Sequence, residues 1–390
     1  LRVRAASLTL QARITNDQNQ VKKKGICLAD ANVSLISCSV VTPKGAVVDN
    51  PHGVKNSDGQ LVEETLEIEE SLGLEIGGIP ITRANAGDLA STLGPDILSG
   101  EARFNTDTHE LWLGDNASIN GGEKPAIRLL ESRTLNLALE GSCTLSSKVN
   151  AVELGSYALA TVAHSSGSPA PTSTLTVTSP ANAFNLVDAQ LSLGANITCI
   201  LNGAKHGIAG TPSSQLYIQS RTTIASSAEG AIVGVEPVLD PPVSILDPSG
   251  AIVSSLGLTD ATNTPIKSKV EIGMAFGVRI AGLQITDLNA SDLTAALGAS
   301  KATGNIRFAN YTLYLMNNAT IDGGDSPALE ITNDDDVTYT IDFRGNAAEI
   351  DYLGATPQPT SKADNPPIQH RRHAILHLHA GQRHRATAGC

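Results

Sequence analysis

Aromatic side chains are scarce. Phe, Tyr and Trp together make up 3% of the 390 residues, and there is one Trp. That leaves a core of Leu, Ile, Val and Ala, small or branched side chains that stack in layers, which suits the narrow repetitive interior of a solenoid better than a globular enzyme core. Basic residues are outnumbered, 27 Lys and Arg against 39 Asp and Glu, for a net charge of −12. No basic stripe precedes the C-terminal segment, so nucleic acid is not expected as a partner. Helix-period patterning is nearly missing, and no apolar run is long enough to cross a membrane. The five cysteines (Cys27, Cys38, Cys143, Cys199, Cys390) show no C-x-x-C spacing, and their odd number argues against a disulfide framework. Cys38, Cys143 and Cys199 lie in or beside apolar strand patterns and read as small core residues.

What is present is repetition. Ile76-Gly77-Gly78-Ile79-Pro80-Ile81-Thr82 returns as Ile280-Ala281-Gly282-Leu283-Gln284-Ile285-Thr286, an offset of 282 − 78 = 204 residues. Across the 25 positions 76–100 and 280–304, eleven are identical. A second block, Leu111-Trp112-Leu113-Gly114-Asp115-Asn116-Ala117, returns as Leu313-Tyr314-Leu315-Met316-Asn317-Asn318-Ala319 at 313 − 111 = 202, so two residues are lost between Phe308 and Leu313. A gapped self-match of this length marks an array, and surface arrays usually bind rather than catalyse.

Between the copies run short strands that alternate apolar and polar residues, such as Thr134-Leu135-Asn136-Leu137-Ala138-Leu139 and Thr174-Leu175-Thr176-Val177. They recur at roughly 15–30 residues, the length of one coil of a parallel β-helix. Short apolar pairs after Gly or Pro (Gly25-Ile26, Pro125-Ala126-Ile127, Gly207-Ile208, Gly230-Ala231-Ile232, Pro327-Ala328-Leu329) read as the second strand of each coil. Two Pro-bearing stretches, 42–69 and 239–271, precede the repeated blocks and read as bridges between modules. Asp88 and Asp292, with Asn85 and Asn289, are placed to cap short turns across an open coil end. The expected fold is all-β, a parallel β-helix-like solenoid built from tandem modules with a short bridging and capping segment. The expected domains are the C-terminal part of a first module (1–70), a complete module (71–272), the N-terminal part of a further module (273–345) and an irregular, disordered His/Arg-rich tail (346–390). The chain starts at Leu1 and reads as part of a longer multi-module protein.

The pattern G-x-x-I-T-x-x-N-x-x-D-L, then G-x-x-x-F and L-x-L-x-x-N-A-[ST]-I-x-G-G, resembles a repeat module of secreted or surface-anchored Bacteroidetes proteins that is labelled carbohydrate-binding-domain-like. The resemblance covers residues 7–345. It implies a solenoid exposed outside the cell or on its surface, and it names no sugar.

Trp112 and Tyr314 occupy the same repeat position. Flanking leucines that face inward turn each ring outward, where it can stack on the apolar face of a sugar. Asn116 and Asn318 follow, either as hydrogen-bonding partners of a ligand or as turn residues that tolerate left-handed backbone. Asn105-Thr106-Asp107 and Asp335-Asp336 resemble motifs of pectin-degrading β-helix hydrolases, which need paired carboxylates. Their Gly-His-Gly and Arg-Ile-Lys partners are absent, and the acids are not shared by the copies, so no catalytic residue is assigned. His373 and His377 have chelating spacing but no acidic or cysteine partner completes a metal site. No cofactor or metal is assigned. The expected function is a non-catalytic extracellular or cell-surface module that contacts glycans through Trp112, Tyr314, Asn116 and Asn318. The rival is a structural stalk or adhesin repeat that binds protein or nothing.

Overall fold

A computed structural model of the protein describes residues 34–351 except 36–37, 44–45, 50–52, 57, 63–65, 169–171, 325, 333–337 and 345–348, together with strands at Arg2–Val3, Ser7–Leu10, Ala12–Thr15, Val21–Lys24 and Ile375–His379. The fold is nearly all-β, 55% strand and 3% helix, with parallel stacked sheets forming a β-solenoid, as the alternation predicts. The chain divides into two compact units, residues 1–240 with 247–272, and residues 241–246 with 273–390.

In the first unit each coil has three strands. The first complete coil comprises Glu110–Leu113, Ser118–Asn120 and Ile127–Leu129, and the fifth comprises Gln215–Ile218, Arg221–Ile224 and Gly230–Val233. Parallel register aligns one inward column through successive coils as Leu111, Leu137, Val162, Leu193 and Ile218. A second column, on the next sheet, runs Ile119, Leu145, Val177, Leu201 and Ile224. All ten side chains are buried. Each contributes about 1.5–3 kcal/mol by leaving water, which makes stacked aliphatic layers sufficient without aromatic bulk. Outward positions between them are mostly polar, as Thr198 and Asn202 are in the buried and half-buried alternation of Ile197–Gly203, where Ile200 is the exception. The apolar pairs prove to belong to the third strand rather than the second: Ile127, Ile208 and Ile232 stand in short strands that pair coil to coil. Gly25-Ile26 lies outside the described residues.

Antiparallel strands close the unit at both ends. At the start, Leu98–Ser99, Ala102–Asn105 and the end of Leu66–Ile76 each pair antiparallel with one strand of the first coil. At the far end, Val270–Ile272 covers Thr222–Ile224, and Gly257 meets Val233. Covering the edges this way removes an open template for other chains. The eleven-residue strand Leu66–Ile76 does this twice over. Its first half pairs with Ser7–Leu10 and Cys38–Thr42, its second half with Ile127–Leu129. Gly73, at φ +75°, marks the change between the two halves.

A short helix, Leu89–Leu93, follows the antiparallel partner strand Ile79–Thr82 and buries Leu89 and Leu93. Asp88 is its N-cap and accepts the Ser91 N–H at 3.0 Å. Asn85 accepts the Thr82 N–H and donates to the Pro80 carbonyl, fixing the preceding turn.

The second unit repeats this opening. Helix Leu293–Leu297 is capped by Asp292, and Asn289 bonds Thr286 and Gln284 as Asn85 bonds Thr82 and Pro80. Hairpin strands Ala302–Ala309 and Thr312–Asp322 lead into a parallel strand, Thr338–Arg344. The core gathers Leu313, Leu315, Ile341 and an aromatic group, Phe276, Phe308, Tyr311 and Tyr339. Tyr339 donates its hydroxyl to the Phe276 carbonyl at 2.7 Å. In the His/Arg-rich tail, Ile375–His379 pairs antiparallel with residues 338–342. His373 lies outside the described residues, as does most of the tail.

Candidate functional site

Trp112 stands on strand Glu110–Leu113, whose burial alternates so that Leu111 and Leu113 are fully buried and Trp112 is half-buried on the outer face. The antiparallel partner strand places Arg103 directly opposite, and its guanidinium lies over the indole at 5.0 Å from the ring centre. A cation over an aromatic face at an exposed site contributes about 0.5–1 kcal/mol and orients the ring. Arg103 also meets Glu101 at 3.3 Å, but both side chains are largely exposed, so this ion pair adds little. The ring leans over Gly114, where a Cβ would come within 2.9 Å of its Cη2 atom. Arg103, Asn105, Glu110 and Trp112 line an open depression of about 280 Å³.

The second unit builds the same pair. Tyr314 is half-buried between the buried Leu313 and Leu315, and Arg307, its cross-strand partner, lies over the ring at 4.7 Å. The smaller ring accompanies a larger neighbour, Met316 in place of Gly114. The rim is not kept: Asn105 and Glu110 become Ala309 and Thr312. The outward placement of both rings matches the sequence pattern. Arg103 and Arg307 are the functional candidates that sequence reasoning passed over, although Arg103-Phe104 and Arg307-Phe308 recur at the same 204-residue offset.

Asn116 and Asn318 are exposed and left-handed, at φ +60° and +55°. This is turn geometry that Asn tolerates. The Asn116 amide donates to Asp115 at 2.8 Å. The bond to the neighbouring coil comes from Asp115, whose carboxylate accepts the Ser142 N–H at 2.9 Å. A Cβ at Gly141 would fall 2.0 Å from that carboxylate, so this contact depends on a glycine there.

Asn105-Thr106-Asp107 forms the hairpin turn beside the depression. The Asn105 side-chain oxygen Oδ1 accepts the N–H groups of Asp107 and Thr108, so it is committed to the turn. Asp334-Asp335-Asp336 lies outside the described residues. Among the described residues no group of three or more His, Cys, Asp or Glu could hold a metal, and no helix is long and apolar enough to cross a membrane. Cys38, Cys143 and Cys199 are buried. Burial raises the Cys143 thiol to about 11 and the Cys199 thiol to about 12, which keeps both protonated and unreactive.

The fold and these rings define a β-solenoid that presents a paired cation and aromatic at an equivalent place in each of two units. Comparison with protein families, curated proteins and solved structures returns no match for this chain.

Proposed function

We propose that this protein is a non-catalytic extracellular or cell-surface binding module that contacts glycans through its outward aromatics. The observation that carries this reading is the recurrence of a ring of the same orientation, held by an arginine, at Trp112 and Tyr314 in a chain so poor in aromatics. A rigid sheet fixes each ring, so little conformational freedom is lost when an apolar sugar face stacks on it. Arg103 and Asn105 add donors for sugar hydroxyls beside the ring, and Glu110 an acceptor. Asn116 and Asn318 keep exposed amides one turn away. The resemblance of the repeat to carbohydrate-binding-domain-like modules points the same way.

A glycan array probed with the full chain, followed by titration of the best hit against Trp112→Ala and Tyr314→Ala, tests the reading. Weakened binding by both variants supports it. Binding indifferent to both rings, or no binding on the array, moves the structural stalk or adhesin repeat ahead.

A further inference from the structure

The outer face that carries Trp112 does not end at the first coil. Parallel register continues its sheet through four further strands, and the fifth presents a second aromatic, Tyr217. Both rings are half-buried on the same face of one sheet in one unit. Four strand spacings of about 4.8 Å put them roughly 19 Å apart along the stacking direction.

Beyond the Trp112 strand this face carries no charged side chain and is able to hydrogen-bond. Tyr217 tops a column that starts at Glu110, on the Trp112 strand, and runs through Asn136, Thr161 and Ser192. Asn136 and Thr161 are exposed and Ser192 is half-buried. Beside it, the column that begins at Trp112 continues as Ala138 and Ala163, whose methyl groups leave the surface low. The four strands Thr134–Leu139, Leu159–His164, Gln190–Leu193 and Gln215–Ile218 contain no Asp, Glu, Lys or Arg, although the chain carries a net charge of −12. The Tyr217 hydroxyl donates to the Gln215 side chain at 3.4 Å, which ties the ring to its own strand.

We infer that this face is one continuous site for an extended, unbranched, uncharged oligosaccharide, lying along the solenoid axis with Trp112 and Tyr217 as its two aromatic anchors. The inference rests on the glycan-binding reading and adds the ligand's shape, its charge and a second anchor. Straight columns favour a linear chain over a branched one. The four later strands, without fixed charge, suit neutral hydroxyls, and Arg103 at the Trp112 end, already beside Glu101, cannot balance a row of uronic acid carboxylates. Aromatics at both ends hide the apolar faces of two sugar rings, while the amide and hydroxyl column between them exchanges hydrogen bonds with the hydroxyls of the units in between.

The test is calorimetric titration of the full chain with unbranched glucose, mannose and xylose oligomers of two to eight units, beside uronic acid oligomers of the same lengths. Affinity for a neutral series should rise with length until one oligomer reaches both rings, then level off. Tyr217→Ala should lower affinity for the longest oligomer roughly tenfold, the scale of one lost aromatic stack, and leave the shortest unchanged. Thr161→Arg, which raises a long charged side chain midway, should do the same with melting unchanged. That variant, with Tyr217→Leu, carries the test if Tyr217→Ala fails to fold. If Trp112→Ala weakens binding while Tyr217→Ala and Thr161→Arg do not, the ligand sits at Trp112 alone. The continuous site is then overturned and the glycan-binding reading survives. Preference for the uronic acid series also overturns the inference. If no oligomer binds, both fall.

Discussion

Glu75, on the strand that covers the first coil, meets Arg128 of that coil across an antiparallel pair at 3.5 Å, and in the second unit the same pair stands with its signs exchanged, Arg279 against Glu330 at 3.8 Å. What the two copies share at this point is therefore the pairing of cover strand with coil, rather than either charge. Arg128 also reaches Glu153 of the next coil at 3.6 Å, so it links cover, first coil and second coil in one row. Burial raises the Glu75 carboxyl above its usual value, against the lowering effect of Arg128.

Arg128→Glu should destabilise the protein by about 1 kcal/mol, because it sets three carboxylates in a row on a half-exposed face where each pair is modest. Adding Glu75→Arg should recover part of the loss. Arg128→Ala carries a pH signature. It leaves Glu75 partly buried and without its main counter-ion, which costs most when that carboxyl is ionised. The group's native pKa is already raised, so its stabilising share is present at low pH and is lost as pH rises through that value. The deficit of Arg128→Ala should accordingly be larger at pH 7 than at pH 4. Urea unfolding of the single and double variants at both values measures each effect, and a deficit independent of pH refutes the coupling.

Leu113 and Leu315 are fully buried at equivalent places, each stacked in register on the next coil's strand. Either one changed to Ala should cost about 2–5 kcal/mol from lost burial and a residual cavity, and Asp more, since a charge without a partner is left inside. Chemical unfolding measures the loss. An unchanged midpoint for Leu113→Asp shows that this column does not carry the stack.

The solenoid was legible because burial here follows strand alternation with few exceptions, and Leu137 and Ile341 keep the same inward place in both copies. The number of strands per coil was not legible. Third strands such as Ile127–Leu129 are only three residues long, and coils differ in length, with 26 residues from Leu111 to Leu137 but 31 from Val162 to Leu193. The turn residues Asp88 and Asn85 could be read because capping depends on local geometry. At the candidate site the rings were visible from their flanking leucines. Arg103 was not, since cross-strand contacts depend on hairpin register, which the two-residue deletion before Leu313 obscured. Tyr217 was missed for another reason: the repeat comparison stops short of its coil, so no second copy drew attention to it.

Cys143 and Cys199 stack in one column on either side of Leu175. With both thiols raised from 9.0 by burial, iodoacetamide at pH 8 should leave them unmodified in the folded protein and label them rapidly in 8 M urea, read by mass spectrometry. The sign for stability follows from the same shift. The unfolded thiols ionise first, so stability should be unaffected by these groups below pH 9 and fall as pH rises toward about 11 for Cys143 and about 12 for Cys199. A Cys143→Ala, Cys199→Ala double variant should lose part of that alkaline decline, and an identical decline assigns it to other groups.

The aromatic pair gives the functional test. Trp112→Ala and Tyr314→Ala should each weaken glycan binding by roughly 1–2 kcal/mol, the loss of one stacked ring and its covered area. Because both rings are half-buried and carry an arginine, each change also removes some packing, so melting temperatures must be measured beside affinities. Trp112 should show the larger thermal effect, since its indole covers Gly114. Arg103→Ala separates the two roles: it removes the cation but leaves the ring, so binding should fall less than in Trp112→Ala if the sugar stacks on the indole. The double variant Trp112→Ala, Tyr314→Ala should bind a polymeric ligand more weakly than either single, because two sites in one chain gain from effective concentration. For a short oligomer, which can occupy only one site at a time, each single change should remove binding at one site and leave the other's affinity intact. Calorimetric stoichiometry falling from two sites to one in each single variant is the decisive reading, and an unchanged stoichiometry places the ligand elsewhere on the solenoid.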